Sequence, residues 1–315
     1  MKIKLLVIFI YLTFSTLNAQ NESETVYFFP KWEKGEDYNF KITKTKKFTQ
    51  DEKTTKDNSH SYSAQLHIID ITPDYYKLKW SYKFDFSEFN IPENISKDLN
   101  ERLITDVIYK AGLDGEFLEV VNWKELGDKL KNLTEMIVDL AVKENPKIKS
   151  SMESFKTSMN QIFSVKENVE ALGTKELQLI HNSLGGEFTI EEKIEFEEER
   201  QNPFGGGSIR TNNIVNLKES KSNSNNVILE VRSTINEEDA KNFVINLVKQ
   251  TNNSEGNDFE DFMKNSSYKM NEWNEYEYSK PLNMLIRAET KREVELKQNK
   301  EKGYGFESTL IELIN

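Results

Sequence analysis

The sharpest alternation in the chain runs from Tyr76 to Phe86. Tyr76, Leu78, Trp80, Tyr82, Phe84 and Phe86 fall on one side, and Lys77, Lys79, Ser81, Lys83 and Asp85 on the other. A period of two means a strand with one buried and one wet face. Tyr38, Phe40 and Ile42 alternate in the same way with Asn39, Lys41 and Thr43, and Ala64, Leu66 and Ile68 repeat the pattern with weaker contrast. Pro73-Asp74 marks a turn, and the polar run Thr49 to His60 reads as the exposed end of a long hairpin. Asp114-Gly115, between Val107 to Gly112 and Glu116 to Val121, predicts a second hairpin with a type I′ turn.

The period then changes. Asn122 with Glu125 forms a capping box, followed at helical spacing by Trp123, Leu126, Leu130, Leu133, Ile137 and Leu140. Asn145-Pro146 starts a second helix with Ile148, Met152, Phe155, Met159 and Ile162 as its stripe. Thr174 caps a third, short helix carrying Leu177, Ile180 and Leu184, which Gly185-Gly186 stops. The predicted helical block covers about 122–184.

Strands resume with Phe188, Ile190, Ile194 and Phe196 on one face, then Ile209 to Leu217 and Val227 to Ile235. Asn236 caps a helix over about 236–250 with Ala240, Phe243, Val244, Leu247 and Val248 on its apolar face. Thr251 to Asp258 reads as a polar connector. Three further strands follow: Ser267 to Ser279, Leu282 to Leu296 and Gly303 to Ile314. Runs of strands punctuated by helices predict an α+β fold, not βαβ alternation. The expected architecture is a mostly antiparallel, strongly curved sheet of about eleven strands, a half-barrel with helices packed on its concave side. Residues 20–315 are read as a single α+β domain; a two-domain split near Gly185 is the rival.

The first residues stand outside this pattern. Lys2 and Lys4 precede an apolar run, Leu5 to Phe14, and Ser15 to Ala19 is small and polar apart from Leu17. That is the layout of a secretory signal peptide over residues 1–19, with cleavage expected after Ala19. The run is too short to span about 30 Å of hydrocarbon. The expected localisation is therefore exported, periplasmic or extracellular, and soluble. No second apolar run of about 18 residues predicts a membrane span.

Composition adds limits. The formal net charge is −11, and removing residues 1–19 leaves 40 basic against 53 acidic residues. So acidic a chain is repelled by nucleic acid and by anionic lipid surfaces, and no nucleic-acid partner is expected. There is no Cys, so an exported form has no disulfide, and no thiol to carry a lipid anchor. High Lys, Asn and Glu with few Pro suggest an AT-rich bacterial coding sequence.

No motif names a chemistry. Of the three His, His60 lies in a polar run, His67 on the less apolar face of its strand, and His181 reads as a helix-surface residue. There is no H-E-x-x-H and no G-x-S-x-G, and Gly205-Gly206-Gly207 lacks the Lys-Ser/Thr of a phosphate loop. Glu191, Glu192, Glu195, Glu197, Glu198 and Glu199 are spread by alternation along a strand, which favours a solvated face over a calcium site. No catalytic, metal or cofactor residue is assigned, and no cofactor is expected.

Trp32-Glu33-Lys34-Gly35 leads into the first strand, Leu113-Asp114-Gly115 precedes Trp123, and the C-terminal strands alternate. In these features, and in about eleven strands with helices filling the mouth, the chain resembles the half-barrel of the LolA/LolB-like outer-membrane lipoprotein carriers. It is also similar to exported bacterial proteins of unknown function with the same order of elements. The resemblance implies a hydrophobic cavity holding acyl chains, and it transfers no functional residue by position.

Two functional readings follow. One is a non-enzymatic binding or carrier protein for an apolar, lipid-like ligand, with Tyr76, Leu78, Trp80, Tyr82 and Phe84 as candidate cavity-lining residues. The other is an envelope interaction or structural protein with a packed core and no small ligand. N-terminal sequencing of protein recovered from the periplasm or medium of an expressing bacterium is expected to start at Gln20. A chain that keeps Met1 would sink the export reading.

Overall fold

The structure, a computed structural model, describes residues 24–51, 53–83, 104–201, 208–251, 256–299 and 301–314. The signal segment 1–19, Phe84 to Phe86 and the loop Asn202 to Gly207 lie outside the described residues. The strands are β1 (Thr25–Tyr27), β2 (Asp37–Gln50), β3 (Lys53–Ile71), β4 (Tyr75–Lys83), β5 (Ile104–Gly112) and β6 (Phe117–Val120), then β7 (Glu187–Thr189), β8 (Lys193–Gln201), β9 (Ser208–Glu219) and β10 (Asn226–Ile235), and finally β11 (Ser267–Ser279), β12 (Met284–Gln298) and β13 (Glu301–Ile314). The helices are α1 (Trp123–Glu144), α2 (Lys149–Ile162), α3 (Lys166–Gly173), α4 (Lys175–His181), α5 (Glu237–Thr251) and α6 (Gly256–Lys264).

Eleven strands form one antiparallel sheet in the order β6-β5-β4-β3-β2-β13-β12-β11-β10-β9-β8. It is open, with β6 and β8 as its edges, and it curls around the helices. The register explains the core. Tyr62, Ile42, Ile311, Ala288, Tyr276, Leu229 and Leu217 are successive cross-strand partners from β3 to β9. This transverse row faces the helices. With Phe40, Leu66, Leu78, Trp80 and Tyr109 it forms the main core, against which Leu126, Val169, Leu177 and Ile180 of the helical block pack. Each fully buried side chain of this size contributes roughly 1.5–3 kcal/mol relative to exposure.

The N-terminal segment closes this end. β1 pairs with β7 in a separate two-stranded sheet. Phe28, fully buried, lies against Phe188 and Tyr278 at 5.4 and 4.6 Å between ring centroids. The Tyr278 hydroxyl donates to the Phe29 carbonyl at 3.0 Å. Trp32 packs edge-on against Tyr76 and His181.

Several expectations are corrected. Of Asp114-Gly115 only Gly115 has positive φ, so the turn is not type I′, which needs two such residues. Gly115 N–H instead donates to Gly112, and Gly112 N–H to Glu116. Asn122 does not cap α1: its side chain accepts from Ile108 N–H and donates to the Asp106 carbonyl, tying the helix start to β5. Pro146 opens a 3-10 turn, Pro146–Ile148, before α2 begins. Thr174 makes no cap bond: its hydroxyl donates to the Glu170 carbonyl of α3 and accepts from Gln178 Nε2, and Leu184 lies beyond α4. The run Phe188 to Phe196 is two strands in two sheets, divided where Glu191 turns to φ 65°. Helix α3 and helix α6, whose first residues fall in the expected connector Thr251 to Asp258, were not expected. The side chain of Asn236 caps α5 as read, accepting from Glu238 and Asp239 N–H.

Gly127 shows packing overriding helix propensity. A Cβ there would meet the Phe163 carbonyl oxygen at 2.6 Å and Val169 at 3.2 Å, so α1 can approach α3 only through glycine. In a free helix Gly127→Ala would stabilise by about 1 kcal/mol. Here the substitution is expected to destabilise by roughly 1–3 kcal/mol, read as a lower urea midpoint at unchanged slope.

Candidate functional site

Further along the strands the inward face changes character twice. Beyond the apolar row, Lys44, Thr309, Thr290 and Asn274 are partners across β2, β13, β12 and β11. The next inward row is Lys46, Glu307, Arg292, Glu272, Ser233 and Asn213. Beyond this polar belt the face is apolar again: Phe48 pairs with Gly305, Gly305 with Val294, and Val294 with Met270. Gly303, Leu296 and Tyr268 follow.

Helices α5 and α6 lie over this second apolar end. Their anchoring uses carboxylates in the first turn of α5. Asp239 accepts from Arg210 Nε, Nη2 and backbone N–H at 2.8 to 3.0 Å, which fixes the helix to β9. Glu237 accepts from Tyr268 N–H at 3.0 Å, which fixes it to β11. Ala240, Ile245, Met263 and Tyr268 form a second, smaller buried cluster.

Between these helices and the sheet lies a cavity of about 780 Å³. Its walls are Phe48, Phe243, Val244, Phe262, Tyr268, Met270, Val294 and Leu296, and Gly303 and Gly305 form part of its floor. A Cβ on Gly303 would find its nearest neighbour at 3.7 Å, so the missing side chain leaves room and relieves no clash. Glycine inside a strand weakens it and marks places where something approaches the backbone closely. Arg292 and Glu307 supply the polar end, and Glu301 and Lys302 lie at the β12–β13 hairpin.

The belt charges are paired. Lys44 meets Glu176 of α4, Lys46 lies 3.8 Å from Glu307, and Arg292 Nη2 lies 2.6 Å from Glu272. Burial raises the Glu176 carboxyl, but the Lys44 charge and hydrogen bond outweigh it and hold the group below its ordinary value.

The residues singled out from the sequence lie at the other end of the concave face. Tyr76, Leu78 and Trp80 are 8%, 0% and 2% exposed within the main core, and Tyr82 is half-buried against it. Phe84 lies outside the described residues. None of the four described ones lines this cavity. Its walls come from positions with a weaker signal: Phe48 sits in a Lys/Thr-rich run, and Val294 and Leu296 alternate with glutamates. The pair Gly303 and Gly305 was the readable cue.

His181 corrects a further expectation: it is buried, not at a helix surface. Nδ1–H donates to the Gly115 carbonyl at 2.7 Å, and Nε2 accepts from the Tyr109 hydroxyl at 2.9 Å. His67 is a strand-surface residue 2.8 Å from Asp37. On edge strand β8, Glu195, Glu197 and Glu199 face solvent, and no group of metal-ligating side chains is present among the described residues. Among those residues no helix is long and apolar enough to cross a membrane.

No protein-family model and no curated protein matches the chain. Among solved structures it is similar to one described as lipid-protein interactions in lipovitellin, with a TM-score of 0.41 at 8% identity. The match covers 90% of this chain and 26% of that one, so this chain spans about a quarter of the lipovitellin chain.

Burial pushes the His181 imidazole down from 6.5 to about 4, against the Gly115 hydrogen bond that raises it. The unfolded chain therefore binds the extra proton first as pH falls. Stability present above pH 6.5 is lost toward pH 4, by about 3 kcal/mol over the full interval. Urea midpoints measured from about pH 7.5 to 5 are expected to fall, before most carboxylates titrate. His181→Gln, which keeps a donor and an acceptor, is expected to flatten that slope.

Proposed function

We propose that the protein is an exported binding or carrier protein for an apolar, lipid-like ligand, held between β11–β13, the tip of β2 and helices α5 and α6. The observation that carries this is the asymmetry of the concave face. One end is filled by core side chains, while the other leaves about 780 Å³ walled by aromatic and aliphatic groups, with the backbone of Gly303 open on its floor. Ligand pockets measure about 300–1,000 Å³, with mostly apolar walls and a few polar groups that orient the guest. A protein whose only task was a packed scaffold would gain by filling this space, because atoms lining a void lose their dispersion partners. The N-terminal pattern Met1 to Ala19 supports delivery across a membrane, to a compartment where apolar molecules need a carrier through water.

Native mass spectrometry of protein purified from membrane-containing lysate is expected to show a bound lipid-sized mass. A long-chain alcohol such as dodecanol is expected to bind the stripped protein. Gly303→Phe and Met270→Trp, which fill the cavity from different strands, are each expected to weaken binding about tenfold or more. Their urea midpoints serve as folding controls. Only apo mass, with no dodecanol binding, would replace this reading with that of an envelope interaction protein.

A further inference from the structure

We infer that the guest carries an uncharged hydroxyl head, as a long-chain alcohol or a monoacylglycerol does, received between Arg292 and Glu307. This rests on the proposed cavity and adds the chemical class of its occupant. Arg292 and Glu307 both line the cavity and stand directly opposite each other on β12 and β13. The Cβ atoms of such partners are about 4.5–5.5 Å apart.

The two charges do not satisfy each other. Arg292 turns to β11: Nε donates to Glu272 Oε1 at 2.7 Å, and Nη2 lies 2.6 Å from the same oxygen. That leaves Nη1 without a hydrogen-bond partner among the described residues. Glu307 has Lys46 at 3.8 Å, an ion pair longer than the roughly 2.7–3.2 Å of a hydrogen bond. No described residue donates a hydrogen bond to the Glu307 carboxylate. An unspent donor and an unspent acceptor thus belong to neighbouring positions of one wall. A hydroxyl uses both, accepting from Arg292 Nη1 and donating to Glu307.

The charge balance disfavours ionic heads. Two cations and two anions line the cavity. Arg292 with Glu307 holds the belt end and Glu301 with Lys302 the hairpin end, so each end is neutral. Lys175 of α4 is exposed and lines none of it. A carboxylate head would gain Arg292 but meet Glu307, and an ammonium head would gain Glu307 but meet Arg292. Either ion also gives up water that the site replaces only in part. The tail of an alcohol follows Val294 and Leu296, the next inward positions of β12, over Gly303.

Four ligands of one chain length separate charge from hydrogen bonding: dodecanol, dodecyl methyl ether, laurate and dodecylammonium. Each is titrated near neutral pH, below its solubility or micellar limit. Dodecanol is expected to bind about tenfold or more tightly than either ion. It is also expected to bind more tightly than the ether, which accepts a hydrogen bond but cannot donate one. In Glu307→Gln, which keeps the shape and an acceptor, the gap between dodecanol and laurate is expected to shrink several-fold. The gap between dodecanol and dodecylammonium is expected to widen, and the urea midpoint of the variant serves as its folding control. An ion or the ether binding the unaltered protein as tightly as dodecanol, or gaps that Glu307→Gln leaves unchanged, would overturn the inference and leave the cavity reading standing. Failure of all four to bind removes both.

Discussion

The antiparallel ladder between β2 and β13 is the contact on which the rest of the molecule depends. It runs from Gly303 opposite Gln50 to Ile314 opposite Asn39. It joins the strands that precede the helical block to those that follow it, so two runs of hairpins become one sheet. The inward row from Tyr62 to Leu217 is continuous only because Ile42 stands beside Ile311. The belt and the cavity floor cross the same seam, with Lys46 opposite Glu307 and Phe48 opposite Gly305. A contact between positions this far apart costs loop entropy before packing offsets it, and such topologies fold slowly. The ladder is therefore both the last contact that local structure can supply and the one that makes a shared concave face.

Stability and vacancy are separated along that face. The main core takes side chains from the N-terminal strap, β2–β5, β9–β13 and α1, α3 and α4. The second cluster has four buried residues at its centre, and a cavity adjoins it. Between them the belt is a row of half-exposed ion pairs, each worth about 0–1 kcal/mol. Such pairs stabilise little, but they stop the apolar packing of the first end from continuing into the second. A lysine or arginine drawn into the filled core would lose its water, and the sheet register holds these charges where water still reaches them.

The strand pattern was legible because a curled sheet with one buried face imposes strict alternation. Ser267 to Ser279 and Gly303 to Ile314 were readable nearly to the residue, and the sheet holds eleven strands. What was hidden has physical reasons. Thr49 to His60 reads as an exposed hairpin end and is one, with the β2–β3 turn at Asp51; what stayed hidden is that the ladder runs almost to the tip and that Phe48 belongs to a second apolar zone. α3 has just Val169 and Leu172 to show, and its helicity depends on Gly127 letting α1 come close. α6 did carry a helical triplet, Phe259, Phe262 and Met263, masked by its polar approach. His181 gave no sign of burial because its partners, a tyrosine hydroxyl and a backbone carbonyl, are far away in sequence. The strongest aromatic stripe, Tyr76 to Trp80, marks where the sheet is filled. Strong alternation reports burial, and a filled core satisfies it as well as a lined cavity does.

Helix α4 links the two ends. Its last residue, His181, is held by Tyr109 of β5 and by Gly115 in the β5–β6 turn, while Leu177 and Ile180 lie in the main core. Its first two residues, Lys175 and Glu176, stand at the belt. A helix this short has little stability of its own, so its position is set by these contacts. The doubly hydrogen-bonded imidazole thus fixes the helix whose first turn meets the belt through the Glu176–Lys44 pair, so the filled core and the belt are positioned by one element.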